Sequence, residues 1–190
     1  MIVSTPEGTP VPSTAGQTIG PFFGFGLPYQ GGNEVAHPWS PGAIVLSGTI
    51  RQGNGDPIPD AMIEIWQADS DGSVPTARGS LHRDGHAFTG FGRTGTTDDG
   101  RYLFWTRNPG ATEPGKAPFI AVALFSRGLP DKLHTRIYLP DDEAALAADP
   151  VLASLTDAER ATLIAVRTAD GGLQHDIHLQ GEKETVFFAY

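Results

Sequence analysis

The sequence predicts an all-β fold: an antiparallel β-sandwich with short peripheral helices and an extended N-terminal arm. Three observations carry that expectation. The chain has 24 glycines and 16 prolines among 190 residues, an excess that tight turns use and helix interiors reject. From position 43 onward, short strand-like runs recur at regular spacing with turn residues between them. Helical signals are confined to one short stretch after position 140. With 39% hydrophobic and 18% charged residues, the chain is too apolar for disorder and long enough for one self-sufficient core.

Residues 1–42 carry seven prolines and eight glycines, so neither a helix nor a central strand is expected there. Phe22, Phe23 and Phe25 need a surface to pack on, which favours an arm draped over its own core or over another chain. The domain itself is expected over residues 43–190. Its first strand is Ala43–Arg51, followed by the turn Gly53-Asn54-Gly55-Asp56-Pro57. A second covers 61–68, where Ile63 and Ile65 alternate with Glu64 and Trp66. Residues 91–97 and 101–106 flank Asp98-Asp99-Gly100 and predict a hairpin. Strands are expected next at Phe119–Phe125 and 132–139, then at 162–168 and 173–180 around Asp170-Gly171-Gly172, and last at 186–188.

The helical insert begins with acidic residues over 141–148, which suit a helix N-terminus. Thr156-Asp157-Ala158-Glu159 has the spacing of a capping box.

Composition excludes several function classes. Without cysteine there is no disulfide framework, zinc ribbon, iron–sulfur cluster or thiol nucleophile. Thirteen basic residues against 22 acidic ones give a net charge of −9, and the basic residues are scattered. Nucleic acid and anionic membrane surfaces are therefore poor partners. The longest apolar run, 117–125, is too short to span a bilayer, and a cytoplasmic location is expected.

No self-contained active site emerges from the residues alone. His175 and His178 lie three apart on an expected strand and so face opposite sides; His175 shares its face with Leu173, Ile177 and Leu179 and reads as a core residue. His82 and His86 read as loop residues. His134 shares a face with Lys132, Arg136 and Tyr138, either solvated or at an interface. Asp56, Asp60, Asp69, Asp71, Asp98 and Asp99 sit in turns, where such side chains ordinarily bond their own backbone. Asp69-Ser70-Asp71-Gly72 lacks the later bidentate Glu of an EF-hand loop.

Several stretches taken in order resemble the intradiol ring-cleaving dioxygenases. Gln17-Thr18-Ile19-Gly20-Pro21-Phe22 is similar to that family's arm motif. Gly48-Thr49-Ile50, Gly55, Pro59-Asp60-Ala61 and the specific segment Glu64-Ile65-Trp66-Gln67-Ala68-Asp69-Ser70-Asp71-Gly72 resemble its first core hairpin. Phe91-Gly92-Arg93-Thr94, Phe125-Ser126-Arg127-Gly128, residues 133–138 and the tail 181–188 continue the likeness, which covers 12–26 and nearly all of 43–190.

The resemblance implies a β-sandwich that serves iron(III)-dependent opening of a catechol by O2. Catalytic chains of the family hold the ferric ion with two tyrosines and two histidines. Here Phe119-Ile120-Ala121 stands at the His-x-His position, and residues 111–116 and 76–86 contain no tyrosine. The resemblance therefore implies a non-catalytic alpha chain, with no metal ligand and no catalytic residue of its own. Its partner would be a homologous beta subunit that carries the Fe(III). Substrate-bordering residues carried over by position are Thr18, Gly20 and Pro21 in the arm and Arg127 in the Phe-Ser-Arg-Gly segment. The implied substrate is 3,4-dihydroxybenzoate, opened to 3-carboxy-cis,cis-muconate. Two rival readings are a metal-free β-sandwich binding module and a self-sufficient catechol dioxygenase.

Overall fold

The computed structural model describes residues 17–76, 84 and 86–189. Two sheets face each other. One has the order β4 (Arg101–Arg107), β1 (Ala43–Arg51), β8 (Leu173–Gln174), β7 (Val166–Arg167), with β9 (Ile177–His178) also on β1. The other has the order β3 (Phe91–Gly95), β2 (Met62–Gln67), β5 (Phe119–Phe125), β6 (Leu133–Tyr138). The all-β sandwich expected from the sequence is present, with one refinement. β1 runs antiparallel to β4 but parallel to β8 and β9, so the first sheet is mixed.

Alternation fixes which side chains fill the space between the sheets. Leu46 and Ile50 from β1 and Tyr102 and Phe104 from β4 meet Ile63, Ile65, Ile120, Val122, Leu124 and Ile137 from the facing sheet. The parallel approach of β8 to β1 depends on Gly48. A Cβ there would lie 1.8 Å from the His175 carbonyl oxygen, which already accepts a 2.6 Å hydrogen bond from the Tyr102 hydroxyl.

The expected hairpin over 91–97 and 101–106 is not one. β3 pairs with β2 and β4 pairs with β1, so the turn at Asp98-Asp99-Gly100 carries the chain between sheets. The turn closes locally, with the Gly100 amide donating to Thr97 at 2.8 Å. Its flanks are then captured by different neighbours: the Thr96 amide donates to the Ala61 carbonyl, while the Gly100 carbonyl accepts from Ile50, each at 2.9 Å. The stretch 53–57 is likewise a crossing between sheets, since β1 and β2 do not pair. Residues 162–168 and 173–180 give shorter strands than expected, and 186–188 contributes a single bridge, His134 to Phe188.

Capping sets the helices. In α2 (Glu143–Ala148) the Asp142 carboxylate accepts from Ala145; in α4 (Asp157–Ala161) the Thr156–Glu159 capping box forms as its spacing requires. Between them α3 (Pro150–Ala153) was not foreseen; the buried Asp149 caps it, and Pro150 at its first turn needs no amide donor. These helices cover a second apolar cluster of Tyr138, Leu146, Leu152 and Leu163. Among the described residues no helix is long and apolar enough to cross a membrane.

The arm also departs from expectation, because Phe23–Gly26 forms the single helical turn α1. The Gly24 and Phe25 amides donate to Pro21 and Phe22, so the bend that Pro21 starts is satisfied within the arm. Only Phe23 of the three phenylalanines is buried, 6.1 Å from the Phe125 ring. Phe22 and Phe25 remain 78% and 86% exposed.

Candidate functional site

Arg127 lies on the turn that leaves β5. Ser126 is buried at its base and accepts from the Leu129 amide at 3.2 Å, which projects Arg127 outward. The Arg127 side chain is 65% exposed, and its Nη2 stands 2.6 Å from Asp60 Oδ2. Asp60 therefore departs from the turn reading: its carboxylate faces a cation from another strand connection. Thr96 holds the adjoining backbone, since its Oγ1 accepts from the Ala61 amide at 3.1 Å and donates to the Ile58 carbonyl at 2.9 Å. Asp60, Ser126, Arg127, Leu129 and Gln180 line a cleft of about 450 Å³.

The same turn receives the arm. The Ile19 amide donates to the Leu129 carbonyl at 3.1 Å, and Phe23 packs on Phe125 one strand-end away. Thr18 Oγ1 accepts from the Gly20 amide at 3.3 Å. Gly20 has φ +69°, a conformation open to glycine at little cost. Thr18 and Pro21 are exposed and Gly20 half-buried. The arm motif and the Arg127 turn are thus brought together through Ile19 and Leu129, although Thr18, Gly20 and Pro21 do not themselves line the cleft.

A second clamp holds the rest of the arm and pairs two residues, Glu64 and Arg93, that the sequence places only within separate family-like segments. Arg93 Nη2 pairs with Glu64 at 2.6 Å, Nη1 donates to the Leu27 carbonyl at 3.0 Å, and the Arg93 amide donates to Gly32 at 2.7 Å. Its position opposite Glu64 on adjacent strands was the available signal, because opposite charges on one sheet face pair across strands. Beyond it, Val35 and Ala36 both donate to the Trp105 carbonyl and are buried.

The remaining candidates have structural duties. His175 is buried, its Nε2 is 2.9 Å from the Thr162 carbonyl, and burial pulls its pKa down to about 4 despite that contact. Asp71 accepts from Ser73, and hydrogen bonds from Ser73 hold its carboxyl below the usual range. His86 is exposed beside Asp84; His82 lies outside the described residues. His134 is half-buried in a shallow trough of about 290 Å³ floored by Ala121 and Ala123.

A ferric ion does not fit the residues at the expected place. Ile120 points into the core and is fully buried, Phe119 stacks 5.7 Å from Tyr138, and Ala121 has no donor atom. The Arg136 guanidinium covers the Phe119 ring at 4.2 Å, which puts a cation where a metal would need anionic ligands. The nearest phenol, Tyr138, is buried and bonded to Asp149 at 3.4 Å, and burial raises its pKa away from the phenolate form. Among the described residues no three His, Cys, Asp or Glu side chains gather around a common point.

Comparison with known proteins gives this geometry its setting. A family model described as Dioxygenase matches residues 33–181. The chain is 38% identical over 196 residues to the protocatechuate 3,4-dioxygenase alpha chain of Burkholderia cepacia, covering 95% of this chain and 98% of that one. It is 32% identical over 162 residues to the beta chain of the same organism's enzyme, covering 75% and 66%. Among solved structures, the dioxygenase domain of a carbohydrate-binding fusion protein from Streptomyces sp. SirexAA-E shares the fold, with a TM-score of 0.53, 23% identity and coverage of 77% and 84%. On a matched region that runs from the Trp105-bound arm segment through β9, the chain belongs to the intradiol dioxygenase family.

Proposed function

We propose that this chain is the alpha subunit of a cytoplasmic protocatechuate 3,4-dioxygenase, with a homologous beta subunit as partner. The observation that carries the reading is its end-to-end likeness to an alpha chain, against a shorter likeness to a beta chain. The sequence at 119–121 supports the division of labour, since Phe, Ile and Ala cannot bind metal. In this reading the beta subunit holds Fe(III) and performs the ring opening. The bond between the two hydroxylated carbons breaks, and both atoms of O2 enter the product, 3-carboxy-cis,cis-muconate.

This chain's own residues bind and orient. Arg127 supplies a local positive charge in a protein of net charge −9, and its planar fork matches the ring carboxylate. Gly20 and Pro21 let backbone approach the ring without bulk, and Thr18 holds that bend through its contact with the Gly20 amide. The described part of the arm, 17–42, exposes Phe22 and Phe25, and in this reading those rings meet the partner and exclude water from the shared pocket.

The test is co-expression with the candidate beta chain, affinity purification through a tag on this chain, and an oxygen-uptake assay. A co-purifying beta chain and cleavage of 3,4-dihydroxybenzoate are expected. A chain that purifies alone from such cells, with no activity, would favour the rival binding module.

A further inference from the structure

Asp60 places on Arg127 the same chemical group that the substrate would bring. The contact is 2.6 Å, between Nη2 and one carboxylate oxygen. The aspartate does not wander into that position, because Thr96 bridges Ile58 and Ala61 on either side of it. Nor is it absorbed by its own turn: no hydrogen bond from its neighbours reaches the carboxylate among the described residues. The pair sits in a cleft that also contains Gln52, Gln180 and the arm-binding carbonyl of Leu129.

We infer that Asp60 is a specificity-setting competitor: it occupies Arg127 while the pocket is empty, and a substrate carboxylate must displace it or share the guanidinium with it. The inference rests on the proposed role of Arg127 in recognising a carboxylated catechol. A lone exposed arginine attracts any small anion, and partner docking would strip it of water without a counter-charge. Paired with Asp60, it enters the interface neutral and yields only to a ligand whose remaining contacts hold it in place. Sharing puts two carboxylates on one cation, so Asp60 weakens the binding of carboxylated ligands, the ring-opened tricarboxylate included. Its effect on a catechol without a carboxylate is indirect and smaller.

The experiment uses the assembled alpha–beta complex carrying Asp60→Asn or Asp60→Ala in this chain. For each, kcat/KM is measured for 3,4-dihydroxybenzoate and for catechol. The ratio of the first to the second is expected to rise about two- to fivefold in both variants, the scale of an exposed ion pair. The same substitutions on an Arg127→Gln background are expected to leave the ratio where that background puts it. A ratio that falls or stays level in the single variants overturns the competitor role, as does an equal rise without Arg127. Failure of the underlying reading looks different: the unaltered complex would not prefer the carboxylated substrate, or Arg127→Gln would not change that preference.

Discussion

The Ile19 amide hydrogen-bonds the Leu129 carbonyl at 3.1 Å, which seats the arm motif directly beside the turn that presents Arg127. Two segments far apart in sequence thus share one anchor, and both belong to the surface through which this chain is proposed to act. Ile19→Pro removes the donor. The expected result is a fall in kcat/KM of the assembled complex by about fivefold or more, the scale of one net hydrogen bond. The melting temperature of the isolated chain should stay close to the original, because the sandwich core is untouched. Unchanged kinetics would separate the anchor from function.

Arg127→Ala tests the carboxylate contact itself. Loss of one charge-assisted interaction should lower kcat/KM for 3,4-dihydroxybenzoate by about tenfold or more. The loss for unsubstituted catechol should be clearly smaller. Equal losses on the two substrates would sink the recognition role.

Much of this arrangement is legible in the sequence, and the gaps have physical causes. β1 and β5 match their expected spans because each is an unbroken run without proline, apolar throughout in β5 and rich in β-branched residues in β1, and burial alternates along both. The capping box at Thr156 and Glu159 is local chemistry, so it reads directly. The turn after β3 reads as a hairpin because its residues are hairpin residues; only long-range pairing sends the two strands to different sheets. The helical turn at Phe23 is one turn long and rests on packing against Phe125, which no periodicity can announce. Asp60 could be placed in a turn, but its partner Arg127 is set by how β2 pairs with β5.

Gly48→Ala should be among the most damaging single changes in the core. The added methyl would meet the His175 carbonyl at 1.8 Å, where only movement of β8 can relieve it. A loss of about 3 kcal/mol is expected in urea unfolding, at the upper end for overpacking. A loss below about 1 kcal/mol would mean that β8 and β1 separate easily.

Arg93→Ala should free the arm without dissolving the sandwich. It breaks the ion pair with Glu64 and the bond to the Leu27 carbonyl. Limited proteolysis is expected to cut the segment around 27–32 in the variant well before the core. Equal resistance in both proteins would show that the backbone bonds to Arg93, Trp105 and Leu129 hold the arm without the guanidinium.

Stability should fall as pH drops from about 6.5 toward 4, and His175 supplies the reason. Burial lowers its pKa to about 4, while the unfolded chain titrates near the ordinary histidine value of about 6.5. In that window the unfolded state binds the extra proton, so protonation favours unfolding. Roughly 2 kcal/mol should be lost between pH 7 and pH 5. The hydrogen-bonded carboxylates Asp71, Asp84, Glu159 and Asp170 have lowered values and add their losses only at lower pH. Urea midpoints that do not change from pH 7 to pH 5 would contradict this assignment.

The central claim is that this chain completes an active site whose iron belongs to another subunit. It is tested most directly by iron analysis and ring-cleavage assay on the purified chain, alone and after reconstitution with the beta homologue and Fe(III). The expected result is no stoichiometric iron and no turnover from the chain alone, with both appearing on reconstitution. Stoichiometric iron and cleavage of 3,4-dihydroxybenzoate by this chain by itself would contradict the account.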